Sequence, residues 1–296
     1  MNPAFYRRVR ILVVVLLSLA CACSKSKAAP ASTATRIVSL SPSTTEAVFA
    51  VGAGDKMVGR SRYCDYPVEA RKLPEVGGYV DPSFEAILGL RPDLVIGARG
   101  PAGSTLADKL TARGIATYFP PTESFEAIDA LILGLAERTG RADAGREVVE
   151  RIHARLAAVA RAVARGPRAR VLMVFGLEPL SVAGPGSFPD EMIRRAGGIN
   201  VITEGGAYPT IGIERVLALD PDVVVNAAMM EERASERLHK NAPGWSHVRA
   251  VTNGRLATLT DEAVLRPGPR IAEGVAMLAR AIHPDVPIEG ETAGAR

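Results

Sequence analysis

From Arg36 onward the chain alternates short apolar runs with polar turns and amphipathic stretches. Ile37-Val38-Ser39-Leu40 reads as a buried strand. Ser41-Pro42-Ser43-Thr44-Thr45-Glu46 then reads as a helix start, with Ser43 and Glu46 spaced as a capping box ahead of Ala47-Val48-Phe49. Phe84 to Ala98 gives a short amphipathic helix, a Pro92-Asp93 turn and a fully buried strand. Ile213 to Ala227 repeats that unit at an offset of 129 residues, aligning Glu85 with Glu214, Leu90 with Leu219, Pro92 with Pro221, Asp93 with Asp222 and Ala98 with Ala227.

A duplicated helix-turn-strand unit predicts two related lobes. The second opens on the strand Arg170 to Phe175, followed by a Gly/Pro-rich loop and the helical stretch 190–196. Helix-to-strand steps recur at Leu106 to Tyr118 and at Trp245 to Leu259. Between the lobes, Ala144, Val148, Ile152, Leu156, Val159 and Val163 are spaced by three and four, the stripe of one long amphipathic helix over 142–164 that Gly166-Pro167 stops. The expected fold is α/β: two Rossmann-like lobes with central, mostly parallel sheets joined by one long helix. The boundaries are an N-terminal lobe at 36–141, the linking helix at 142–165, a C-terminal lobe at 166–286 and a tail at 287–296. A single helix is costly to bend, so the lobes should open and close only slightly.

The first residues follow another rule. Arg7, Arg8 and Arg10 precede an apolar run from Ile11 to Ala20 and then small residues with Cys21 and Cys23, the layout of a secretory signal and too short to span a bilayer. Leu17 to Cys23 resembles the lipobox of bacterial lipoproteins, which implies cleavage and acylation at Cys21 or Cys23 within a signal of 1–23. Residues 24–35, rich in Ala, Ser and Pro, read as a flexible tether. The formal charge of +4 falls to +1 without the three arginines, because 33 basic residues then face 32 acidic ones. A near-neutral chain lacks the basic face of a nucleic-acid binder. With 47% apolar and 23% charged residues in a chain of 296, disorder and fibrous folds are excluded.

Catalytic signatures are missing: there is no Gly-x-Ser-x-Gly elbow, Gly-Lys-Ser/Thr phosphate loop or Gly-x-Gly-x-x-Gly fingerprint. Asp93 and Asp222 follow prolines at equivalent places and read as turn formers. The four histidines are dispersed and no metal site is expected. Cys64, the single cysteine beyond the signal, allows no disulfide within the lobes; it reads as a small buried hydrophobe, with axial ligation of a bound metal as the alternative.

Four stretches, Ile37 to Glu46, Arg62-Tyr-Cys-Asp-Tyr-Pro67, Leu88 to Ile96, and Pro243-Gly-Trp before Asn253-Gly-Arg-Leu, make residues 36 to about 284 resemble the periplasmic substrate-binding proteins of class III, with a long-helix linker. These carry cobalamin, ferric siderophores or haem to ABC importers, and Cys-Asp-Tyr-Pro leans to the cobalamin-binding branch. The resemblance implies no enzyme and no catalytic cofactor. It implies a monomer with a lipid anchor, a small-molecule cargo, and a permease dimer of the inner membrane as partner on the periplasmic or extracytoplasmic face. Cobalamin is the implied cargo, with haem or a ferric siderophore as the alternative and a cell-envelope enzyme as a second. Ligand contacts map to Tyr63, Tyr79, Tyr208, Asp261 and Arg266, and permease docking to Glu85 and Glu214. Arg99, Arg266 and Arg270 would meet haem propionates in the alternative.

Overall fold

In the computed structural model, which describes residues 33–78, 80–99, 103–164, 166–228, 237–259, 261 and 266–288, the apolar runs form two separate sheets. The first holds β1 (Ile37–Ser39), β2 (Met57–Arg60), β3 (Leu94–Ile96) and β4 (Ala116–Tyr118) in the order β2-β1-β3-β4, every pair parallel. The second centres on β5 (Arg170–Leu177), flanked by β8 (Val223–Asn226) and then β9 (Leu256–Thr258), all parallel. The other flank of β5 pairs with β7 (Ile199–Asn200) at its start and antiparallel with β6 (Leu180–Val182) at its end. Only two residues separate β5 from β6, which permits a hairpin but no parallel crossover. The order β7-β5-β8-β9 therefore repeats β2-β1-β3-β4, and the duplicated unit supplies the equivalent strands β3 and β8.

Helices α1 (Pro42–Ala50), α2 (Phe84–Gly89), α3 (Gly103–Thr111) and α4 (Phe125–Thr139) accompany the first sheet. The linking helix α5 (Ala142–Val163) follows, then α6 (Phe188–Arg195), α7 (Ile213–Leu219), α8 (Arg249–Thr252) and α9 (Ile271–Ile282). The expected signal, both of its cysteines and most of the expected tether lie outside the described residues, as does the tail beyond 288.

The duplicated unit closes in the same way twice. Arg91 and Asp220, one repeat apart, take left-handed backbone (φ 48° and 42°) after α2 and α7 and turn the chain into its strand. Asp93 then accepts the Arg36 amide at 3.0 Å and Asp222 accepts the Arg170 amide at 2.9 Å. The guanidinium of Arg36 donates to the Leu90 carbonyl and that of Arg170 to the Leu219 carbonyl, both at 2.7 Å. Each aspartate thus ties the start of the lobe's first strand to the strand of the duplicated unit, β3 or β8, a firmer role than turn formation. Partial burial works to raise the Asp93 pKa, but hydrogen bonds from the Thr35 hydroxyl and the Thr35 and Arg36 amides outweigh it and hold the carboxyl below its ordinary range. A carboxylate depressed on folding stabilises the native state above its unfolded pKa and loses that contribution as pH falls through its folded one. Asp93→Ala is expected to cost about 1–2 kcal/mol at neutral pH. In thermal melts the gap between variant and wild type should close on acidification from about pH 5 to about pH 2, and a pH-independent gap contradicts this assignment.

Strand periodicity divides the core. Ile37, Leu94 and Ile96 point into the same cluster as Val171, Met173, Val223 and Val225 of the second sheet, whereas Val38 and Val95 pack with Ile87 and Leu110, and Leu172, Val174 and Val224 with Trp245. The shared cluster runs through α4, α5 and α9, so one core crosses from lobe to lobe along the linking helix. Val148, Ile152, Leu156, Val159 and Val163 are buried on α5 as the spacing predicts. Gly145 rather than Ala144 starts the buried face, because a Cβ there would strike the Ala136 side chain of α4.

Candidate ligand cleft

Parallel α/β sheets bind ligands beyond the carboxyl ends of their strands, and here those ends converge. The exit of β1 leads into α1, while residues 266–270 follow the exit of β9 and carry the chain to α9. The two meet closely: a Cβ on Gly268 would sit 3.4 Å from the Ser43 Cα.

Three segments place charges at that meeting point: α1, the turn after β2, and residues 261 and 266–270 ahead of α9. Arg270 grips Glu46 with two hydrogen bonds, Nε to Oε2 and Nη2 to Oε1, both 2.8 Å. Arg266 donates from Nη1 to Glu46 Oε1 at 3.1 Å and to Asp65 Oδ1 at 2.9 Å. Arg270 Nη1 lies 3.5 Å from Asp261 Oδ1, and its guanidinium stacks on the Tyr66 ring at 4.0 Å. The Glu46 side chain is 2% exposed, those of Arg266 and Arg270 13% and 15%. A carboxylate that deep requires paired donors, and the opposite lobe supplies them.

This changes the reading of α1. Ser41, not Ser43, is the N-cap, with Pro42 at the first helical position, and its side chain makes no cap hydrogen bond to the helix. The expected capping box does not form, since Glu46 turns inward to the arginines. The Ser41 hydroxyl instead lies 2.8 Å from the Thr44 hydroxyl and accepts the Ala98 amide at 3.0 Å, tying α1 to the exit of β3.

Two tyrosines stand at the rims. After β2, the Cys64 amide donates to the Ser61 carbonyl and the Arg62 amide to the Gly77 carbonyl, a tight turn that buries Cys64 and leaves Tyr63 47% exposed. Arg62 pairs with Asp81 at 2.7 Å and lies over the Tyr63 ring at 5.9 Å, so Asp81 braces the tyrosine through Arg62. In the other lobe, residues 207–211 run along β6, with Gly184 and Val182 donating to the Ala207 and Pro209 carbonyls. Gly184 has no room for a Cβ beneath this strap. Tyr208 on it is 56% exposed and meets the Phe175 ring edge-on at 6.0 Å. Partial burial and the carboxylate of Glu123, on the β4–α4 loop, push its hydroxyl pKa up and keep it a neutral donor.

The predicted residues are thus sorted. Asp261 and Arg266 come together in the charged cluster; Tyr63 and Tyr208 flank the carboxyl edges of separate sheets; Tyr79 lies outside the described residues. Glu85 and Glu214 are exposed in the first turns of α2 and α7. Cys64 is fully buried, as the reading of a small buried hydrophobe expects, and burial pushes its thiol pKa up. Residues that sequence reasoning missed are Glu46, Asp65, Tyr66 and Phe175. The available signal was Glu46 itself, a lone charge in an otherwise uncharged helix. Two surface cavities, of about 510 and 360 Å³, lie against the linking helix, and Glu46, Tyr66 and Arg270 line the first of them.

Two sheets of matching topology, joined by one helix and converging at their carboxyl edges, define a two-lobed binding protein. Residues 37–263 match the model of the periplasmic binding protein family, and the chain belongs to that family. This places it among extracytoplasmic binding proteins and not among enzymes. Its relatives include the vitamin B12-binding protein of Vibrio cholerae, 30% identical over 82% of this chain and 87% of that one. The crystal structure of periplasmic vitamin B12 binding protein from V. cholerae superposes with a TM-score of 0.72 at 29% identity, covering 84% of this chain and 96% of that chain. A periplasmic haem-binding protein from Pseudomonas aeruginosa is as similar, with a TM-score of 0.74 at 29% identity over 87% and 95%.

Proposed function

We propose that the protein captures a corrinoid, cobalamin, between its lobes and delivers it to the permease dimer of an ABC importer. Tyr63, Tyr79 and Tyr208 offer aromatic faces and hydroxyls to the macrocycle, and Asp261 and Arg266 offer polar contacts. Glu85 and Glu214 dock one lobe on each membrane subunit through arginine pockets. Residues 1–23 direct export, acylation at Cys21 or Cys23 anchors the mature monomer, and 24–35 tether the lobes at 36–141 and 166–286, with 142–165 between them. The core shared along α5 supports a preformed cleft whose lobes shift only slightly on binding.

The observation that carries the cargo assignment is the commitment of charge. Arg266 and Arg270, the cations best placed for an anionic ligand, are paired with Glu46, Asp65 and Asp261. Haem presents two propionates that want bidentate arginine, whereas a corrin ring presents mainly neutral amides. The haem reading is kept as the second because haem-binding and B12-binding relatives resemble this chain equally.

Purified protein titrated with cyanocobalamin and, separately, with hemin tests both. Saturable binding of cobalamin with a Kd of about 1 μM or tighter is expected. Hemin binding without a cobalamin response transfers the assignment to haem, and silence from both at about tenfold higher concentration removes both cargoes.

A further inference from the structure

The linking helix does not join the lobes alone. Phe125 opens α4 in the first lobe and Phe188 opens α6 in the second, each directly after a serine N-cap whose hydroxyl accepts a first-turn amide, that of Ala127 or Asp190. Capping fixes both helix starts, and there the two rings stack across the lobes, with centroids 5.7 Å apart and planes 29° from parallel. The far end of α6 returns to the same ring. Arg195, the last residue of that helix, holds its guanidinium 4.1 Å from the Phe125 centroid, braced by Nε and Nη2 hydrogen bonds of 2.9 and 2.7 Å to Glu191 one turn earlier. Its Nη2 also lies 3.9 Å from Glu126 of α4. One short helix of the second lobe thus grips the start of α4 with both of its ends.

This clasp is distinct from the contact at which Glu46 of α1 meets Arg266 and Arg270. Each contact shares a separate cavity with the linking helix: Glu46 and Arg270 line the one of about 510 Å³ together with Val148, and Phe125 and Arg195 line the one of about 360 Å³ together with Ala160. The lobes therefore meet at two places besides α5. A helix by itself can flex, and a single further contact still permits rotation about the line through both; a second further contact removes that freedom. We propose that Phe125, Phe188 and Arg195 are positioning residues for cargo binding: their clasp fixes the spacing of the Tyr63 and Tyr208 rims, so the empty protein already holds its binding geometry. These side chains touch no cargo and act through the spacing of the lobes. The inference deepens the corrinoid reading and rests on it only for the cargo used as a probe. Without the clasp the lobes sample other spacings, and the apparent affinity falls by the fraction of molecules that remain competent.

The test places spin labels at the exposed positions of Ala112 in the first lobe and Asn253 in the second, on the full chain, through a ketone-bearing amino acid that spares the native cysteines. Pulsed electron paramagnetic resonance then reads the distance distribution. A second pair, at Ala112 and Lys72, lies within the first lobe and is the control. Wild type should give one narrow interlobe distance, the same with and without cyanocobalamin. In cargo-free Phe188→Ala the interlobe distribution should broaden while the control keeps its width, a separation that general loosening of the core does not produce. Saturating cyanocobalamin should narrow it again, at an affinity about tenfold weaker than wild type, as for a protein with about one molecule in ten competent. Arg195→Ala, at a side chain 36% exposed, should broaden it less and weaken binding about threefold. Thermal melts establish that each variant is folded, and if Phe188→Ala does not fold, Arg195→Ala alone decides. A wild-type interlobe width in the folded variant overturns the inference and leaves the linking helix to hold the lobes. Absence of cobalamin binding by wild type sinks the corrinoid reading, whereas the cargo-free distributions still uphold or overturn the clasp.

Discussion

Replacing Glu85 and Glu214 together by alanine is expected to cut cargo delivery to the membrane by about tenfold or more, while the purified protein keeps its cargo affinity. Each carboxylate is exposed in the first turn of its helix, makes no ion pair among the described residues, and occupies the same place in its lobe as the other. A charge-assisted hydrogen bond is worth roughly 1.5–3 kcal/mol, so loss of two such contacts weakens docking by more than an order of magnitude. Cargo uptake into proteoliposomes carrying the permease, set beside equilibrium titration, separates the two quantities. Each single variant should fall between wild type and the double variant, since each lobe contributes one contact. Wild-type delivery by the double variant would show that both are merely favourable helix-start residues.

The second large effect concerns the rims. Tyr63→Ala and Tyr208→Ala are each expected to weaken cobalamin binding by about tenfold, and together by about a hundredfold. Additivity is expected because the two rings sit on separate lobes and no contact joins them among the described residues. Tyr→Phe at either site should retain most of the affinity, because stacking survives and only the hydroxyl is lost. Tyr208 carries an added prediction: its ring is braced by Phe175, so Phe175→Ala should reproduce part of the Tyr208 loss without touching cargo. Isothermal titration with each variant measures these ratios, and unchanged affinity in the double variant would move the binding surface away from both rims.

Much of this architecture was legible in the order of residues. The period-two and three-four spacings, the Pro-Asp turns and the offset of 129 residues predicted two equivalent lobes and one long helix, because secondary structure follows local periodicity. The matched left-handed residues Arg91 and Asp220 and the matched aspartates confirm how closely the two units correspond. The antiparallel β6 escaped, because a two-residue connection can reverse a strand without altering its apolar pattern.

Glu46 shows where such reading stops. Its spacing from Ser43 satisfied a local rule, yet the carboxylate is taken by Arg266 and Arg270, more than 200 positions away in the chain. The sequence by itself determined which segments become strands and helices, that they come in two kindred sets, and that a glutamate stands at the same place in each duplicated unit. Tertiary structure alone decided which arginines meet which carboxylates, and therefore what charge the cleft shows to a ligand. The physical reason is that periodicity is a property of neighbours along the chain, whereas pairing of buried charges depends on which distant backbones the shared core brings within hydrogen-bonding reach.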